Sequence, residues 1–281
     1  MPRILVMEGN PIARQQEAAA LGLRSASQTY IDAIRADFPN LAIDVVHAAD
    51  RGQAPPGGAA PADYDGLVIG GSGLHAYDDS FAVRNQIELL REFGKTGKPV
   101  LGSCWGLQIA AMAGGGAVGL SPKGREVVFA RKISLTPAGA AHPFLAGKGA
   151  VFDAPCIHYD EVTSLPEGSV CLAWNAHSAV QAATVPVGRS EVWAVQYHPE
   201  FDLGHLALLL TLYAPAMVAQ GFFADEDALW AYRVKLEALR RNPADKGLAW
   251  QLGIDADILD PKRRRAEIAN WVRGRLLSAA G

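Results

Sequence analysis

Several short apolar runs in this chain stop at glycine or another turn residue, and helical patterns follow them. Arg3 to Glu8, Gly66 to Ile69 and Pro99 to Gly102 are too short and too uniformly apolar for half-exposed strands, and they read as buried ones. Helical patterns over about Gln28–Phe38, Ser80–Gly94 and Trp105–Ala113 separate or follow them, with Ser27 as the expected cap of the first. Strand–helix alternation of this kind constrains the chain to an α/β fold, a mostly parallel sheet covered on both faces. Leu41 to His47 supplies a further strand, and residues 51–63, rich in Pro, Gly and Ala, read as a surface loop.

The pattern changes twice further on. Between 125 and 197, Val127–Leu135, Ser169–Trp174, Ala179–Thr184 and Glu191–Gln196 read as strands separated by turns, an antiparallel addition to the parallel core. Beyond about Gln220 the pattern is helical. Leu229, Tyr232, Leu236 and Leu239 recur behind an Asp225 cap, and Ile268, Trp271, Val272 and Leu276 form a second apolar face after Asp260-Pro261. The expected organisation is a domain over 1–220 and a helical extension over 221–281. Trp230, Trp250 and Trp271 are expected to pack that extension, and Lys262–Arg265 to be a solvated face.

Composition excludes several classes. Hydrophobic residues make up 49% of the 281, so disorder is ruled out. A net charge of −3 leaves no surplus for general nucleic-acid binding. No apolar run reaches a membrane-spanning length of about 18 residues. Three cysteines at 104, 156 and 171 make neither a disulfide framework nor a cysteine zinc site. Cys156 and Cys171 read as structural thiols, and His47, His75, His142, His177 and His205 as scattered loop or surface residues rather than metal ligands. MPRILVMEGNP has no basic region ahead of a long apolar core, so no signal peptide is expected and the expected setting is cytoplasmic.

Three features carry chemistry. Gly102-Ser103-Cys104-Trp105-Gly106 puts a thiol on a crowded turn between a strand and a helix, where small neighbours are needed and a helix N-terminus favours thiolate. A buried structural cysteine is the bland alternative. Gln196-Tyr197-His198-Pro199-Glu200 follows a strand; on extended backbone His198 and Glu200 would point to one side, a base with its orienting carboxylate. Gly70-Gly71-Ser72-Gly73 allows close backbone approach to a ligand, as in an oxyanion hole, and lacks the Lys-Ser/Thr of a phosphate loop. All three lie at predicted strand ends, which in an open α/β sheet share one crevice.

In these motifs the chain resembles the class I, triad-type glutamine amidotransferases. Their G-x-C-x-G-x-Q elbow is matched by Gly102, Cys104, Gly106 and Gln108, their H-P-E by His198 to Glu200, and their strand-three glycine pair by Gly70-Gly71. The resemblance covers about residues 1–215 and is greatest to stand-alone domains similar to the glutaminase part of GMP synthetase. It implies a three-layer, mixed but mostly parallel sheet with a flavodoxin-like core and no cofactor or metal. It also implies a catalytic Cys104–His198–Glu200 triad and oxyanion donors at the N–H groups of Gly71 and Trp105. A substrate site would include Gly70, Gln108, His158 and Tyr159. Where the family often reads Ser-His-Gly-Asp, this chain has Ile157-His158-Tyr159-Asp160, which alters the pocket rim. The segment 9–27 and the tail also lie outside the common pattern.

The implied activity is hydrolysis of the side-chain amide of glutamine or a related γ-glutamyl amide through a cysteine thioester. Two versions follow: a glutaminase that hands ammonia to a separate synthetase subunit, or a free-standing γ-glutamyl amide or peptide hydrolase. A non-catalytic regulatory module on the same fold is a third reading, against which the intact triad argues. A homo-oligomer is a further expectation.

Overall fold

The computed structural model describes residues 2–278. The elements run β1 (Arg3–Met7), α1 (Ile12–Ala20), α2 (Ala26–Asp37), β2 (Ala42–Val46), β3 (Gly66–Ile69), α3 (Phe81–Gly94), β4 (Val100–Ser103) and α4 (Trp105–Gly114). Next come β5 (Ala117–Leu120), β6 (Glu126–Leu135), α5 (Pro137–Ala141), β7 (Val151–His158), β8 (Asp160–Ser164), β9 (Val170–Trp174), β10 (Ala182–Val187) and β11 (Ser190–Val195). The rest is helical: α6 (Leu203–Leu212), α7 (Ala214–Ala219), α8 (Glu226–Arg241), α9 (Lys246–Leu252), α10 (Ala256–Leu259), α11 (Pro261–Arg264) and α12 (Ala266–Trp271), which continues as a wider turn over Val272–Leu277.

One mixed sheet organises the molecule, in the order β2-β1-β3-β4-β11-β10-β9-β6-β7. β2, β1, β3, β4 and β11 are mutually parallel, and β10, β9, β6 and β7 add antiparallel strands beyond them. Strand alternation explains the three layers. Ile4, Val6, Val68 and Leu101 face one side, where Tyr30 and Ile34 of α2 and Trp271 of α12 cover them. Leu5, Met7, Leu67, Ile69 and Val100 face the other, against Val83 and Phe93 of α3 and Leu107 of α4. Both faces are dry, so these strands read as continuous apolar runs.

Several expectations need correction. Ser25, not Ser27, caps α2, its side chain accepting from the Gln28 N–H; Ser27 lies inside the helix, its N–H donating to Glu8. β5, β7 and β8 carried no clear signal, because β7 is interrupted by Pro155 and the short β5–β8 pair stands apart from the main sheet. In the tail, Trp271 is fully buried but Trp230 and Trp250 are 56% and 83% exposed, so only one of the three packs the core. Lys262 and Arg263 are exposed as expected, but Arg264 is buried, donating to the carbonyl of Ile258, and Arg265 pairs with Asp37 at 3.4 Å, so only the first half of Lys262–Arg265 is solvated.

Both apolar faces of the tail are covered by the chain itself. Leu229, Leu236 and Leu239 of α8 join Leu206 and Leu210 of α6, while Ile268, Trp271 and Val272 join the sheet. Asp225 caps α8 as expected, accepting from the Ala228 N–H at 2.8 Å. Among the described residues no helix is long and apolar enough to cross a membrane.

Candidate active site

The carboxyl ends of β3, β4 and β11 lie side by side, and the three motifs follow those ends. Cys104 sits between β4 and α4 with φ 50° and ψ −98°, a sparsely populated conformation that costs about 1–3 kcal/mol and persists only when its surroundings enforce it. They do. Its N–H donates to the Val195 carbonyl of β11 at 2.8 Å, and its carbonyl accepts from Gln108 N–H at 3.1 Å. The flanking glycines are required by contact. A Cβ on Gly102 would lie 2.8 Å from the Gly106 carbonyl carbon, and one on Gly106 would lie 2.6 Å from the Ile69 carbonyl oxygen. Trp105 is locked by its indole N–H, which donates to Gln86 at 2.8 Å.

His198 and Glu200 do not sit on extended backbone, as the spacing suggested. β11 ends at Val195, and the chain turns, with Phe201 N–H donating to the His198 carbonyl. The turn still joins the pair: His198 Nδ1 and Glu200 Oε1 are 2.7 Å apart, and both side chains are buried. Ser103 Oγ donates to the same carboxylate oxygen at 3.1 Å, fixing Glu200 from the neighbouring strand. Burial opposes charge on His198, but the Glu200 carboxylate and then the Cys104 sulfur outweigh it and push its pKa up to about 10. His198 thus sits against the Glu200 carboxylate and lines the same pocket as Cys104.

Sequence reasoning missed what stands behind the imidazole. Phe201 stacks on the His198 ring at 4.0 Å and 5°, and His205 of α6 lies tilted by 36° against Phe201 at 4.2 Å. His205 is buried and its pKa is pushed down to about 3, by burial first and then by the charges of Arg24 and His198. It is neither a loop nor a surface residue, which corrects the expectation. Only adjacency to the H-P-E motif marked Phe201 in the sequence, and nothing marked His205.

Gly71 lies against the His198 ring; a Cβ there would fall 2.8 Å from Cε1. The loop after β1 braces this turn, with Ser72 Oγ donating to the Gly9 carbonyl at 2.9 Å and Gly73 N–H donating to Asn10 Oδ1 at 2.9 Å. Gly70 is different. Its Cα faces Ala26 and Tyr30 of α2, and it is absent from the pocket wall, so its expected place in the substrate site is corrected. Its smallness lets α2 approach the turn.

Cys104, His198, Gly71, Gln108, His158 and Tyr159 all line one pocket of about 360 Å³. Gln108 Nε2 donates to the Asp160 carbonyl at 3.1 Å. His158 Nδ1 lies 2.9 Å from that same carbonyl, and its Nε2 lies 2.9 Å from the buried Glu126 carboxylate. Asn175 and Gln181 also donate to Glu126. The donor atoms of Glu126, Cys156 and His158 approach within 4.8 Å of one another. Each oxygen and nitrogen among them is already engaged in this hydrogen-bond network, and burial pushes the Cys156 thiol up, so it reads as packing that fixes the 157–160 segment. That segment touches the elbow directly, with Cys104 Sγ 3.9 Å from the Ile157 carbonyl oxygen.

A protein-family model for class-I glutamine amidotransferases matches residues 33–209. A γ-glutamyl-L-1-hydroxyisopropylamide hydrolase from a Pseudomonas sp is 30% identical over 277 residues, which is 96% of this chain and 92% of that one. γ-Glutamyl peptidase 4 of Arabidopsis thaliana is 28% identical over 141 residues, 50% of this chain and 55% of that protein. Among solved structures, a glutamine amidotransferase from Thermotoga maritima matches with a TM-score of 0.66 and 14% identity, covering 98% of each chain, a likeness of fold.

Proposed function

The chain belongs to the class I glutamine amidotransferase family, and from that premise we propose that it is a free-standing hydrolase of γ-glutamyl amides working through a thioester on Cys104. The observation that carries this reading is one pocket lined by the strained Cys104 and by His198, whose Nδ1 is held by the buried Glu200 carboxylate. The near full-length match to a γ-glutamyl amide hydrolase supports the free-standing version over the ammonia-donating one.

The chemistry follows from the positions. The Cys104 thiolate attacks the carbonyl carbon of the γ-amide, and the N–H groups of Gly71 and Trp105 receive the developing oxyanion. The carbon–nitrogen bond breaks as His198 gives its proton to the leaving nitrogen. Neutral His198 then takes a proton from water, whose oxygen attacks the thioester. The carbon–sulfur bond breaks and glutamate is released with its γ-carboxylate free, restoring thiolate and imidazolium. Glu200 holds the imidazole in the orientation both proton transfers need, and Gln108 contacts the γ-glutamyl group.

Turnover of L-glutamine and of a γ-glutamyl anilide by the purified protein alone tests the version. Efficient lone turnover of the anilide is the expected result. Very slow turnover that rises on adding a synthetase would instead support ammonia transfer.

A further inference from the structure

Two arginines reach the pocket from segments that the triad does not use. Arg14 comes from α1, and Arg125 precedes β6; both line the cavity that contains Cys104. Both approach one ring. Arg14 Nη2 donates to the Tyr213 hydroxyl at 2.7 Å, and its guanidinium carbon lies 5.9 Å from the Tyr213 ring centre. Arg125 stands 5.4 Å from that same ring centre and 4.9 Å from the ring of Tyr159. Arg14 also rests on the glycine turn after β3, because a Cβ on Gly73 would come within 2.5 Å of its Nη2.

Neither guanidinium has an acidic partner among the described residues: their side-chain bonds go to Tyr213 and Gln220, and the ion pairs of the molecule lie elsewhere. Arginine forks bind carboxylates through charge-assisted, often paired hydrogen bonds. In a concave, partly dehydrated wall such contacts are stronger than on an open surface. Stacking on Tyr213 and Tyr159 restricts the two side chains before a ligand arrives, which lowers the cost of ordering them.

We propose that Arg14 and Arg125, both beside Tyr213, form a carboxylate subsite that selects the substrate of this pocket. The proposal rests on reading the pocket as a γ-glutamyl amide site, and it makes an anionic group a requirement for tight binding. That carboxylate has two sources: the α-carboxylate of the γ-glutamyl group, or a carboxylate on the departing amine, as in a γ-glutamyl dipeptide. The chemistry of recognition is the same for both.

The test is binding to the full chain carrying Cys104→Ala, which holds ligands without turning them over. Dissociation constants are measured for L-glutamine against L-glutamine α-amide, and for γ-glutamylglycine against γ-glutamylglycinamide. Each pair differs by one carboxylate. The expected result is at least a tenfold preference for the carboxylate in one pair, reduced to less than threefold when Arg14→Gln and Arg125→Gln are added. Preference in the first pair assigns the α-carboxylate, and preference in the second assigns the departing group. The ratio is taken within each protein, so damage to folding removes both ligands together, and the single changes Arg14→Gln and Arg125→Gln then carry the same comparison. A preference that survives the arginine changes, or the absence of one in both pairs, overturns the subsite. Arginine-dependent preference with no turnover of either γ-glutamyl amide by the unsubstituted protein would strike the proposed activity and leave the subsite standing.

Discussion

At the scale of single residues, the site depends on charge held where water is excluded. In the proposed mechanism a protonated His198 releases the amine, and the Glu200 carboxylate favours that form by raising its pKa to about 10. The sign is therefore definite: kcat/KM falls as pH rises through about 10. In Glu200→Gln the raising effect of the carboxylate is lost, so that alkaline limb moves to lower pH; a pH–rate profile in which the two proteins share one alkaline limb would remove Glu200 from this role. His198→Ala is expected to cost about 10²–10⁴-fold in kcat, more than Glu200→Gln, which keeps an oxygen near Nδ1. Cys104, His198 and Glu200 were legible in the sequence because each sits in a short motif with its small or rigid neighbours. Arg14, Tyr213, Phe201 and His205 were not, because their meeting depends on how α1 and α6 pack, and no local spacing records that.

Elements position the site through backbone contacts that tolerate no extra carbon. β3 ends in a turn whose Gly71 touches the His198 ring, so Gly71→Ala should displace the imidazole. Expected is a loss of at least tenfold in kcat with the melting temperature little changed; unaltered turnover would show that the ring yields freely. Gly106→Ala meets backbone instead, the carbonyl oxygen of Ile69 on β3. It should lower stability by about 1–3 kcal/mol, read by urea unfolding. The parallel strands were legible because burial on both faces makes them uniformly apolar, as in the fully buried β3 and β4. β7 and β8 were not, since their mixed burial follows the catalytic pocket and a separate two-stranded sheet rather than a simple alternation.

Across the whole molecule, the tail is tied to the catalytic end of the sheet. Glu267 of α12 is fully buried, accepts from the Tyr197 hydroxyl at 2.6 Å and pairs with buried Lys148 at 3.1 Å. Tyr197 immediately precedes His198. We propose the division at 220/221 as the start of an added segment that completes the core rather than a separately folding unit. A chain ending at Gln220 should then fail to fold cooperatively, and Glu267→Ala, which strands Lys148, should cost about 3–5 kcal/mol in denaturant unfolding. A truncated chain that melts cooperatively would return the tail to a role in assembly. Its helical periodicity was plain in the sequence, whereas the choice of Trp271 for burial over Trp230 and Trp250 was set by tertiary contact. Hydrolysis of γ-glutamyl amides by the lone chain through Cys104 is measured as turnover of γ-glutamyl anilide with and without Cys104→Ala. Steady turnover by the unsubstituted protein and a fall of at least about 10³-fold in the variant are expected; a Cys104→Ala protein that retains near-normal turnover would contradict the thioester route.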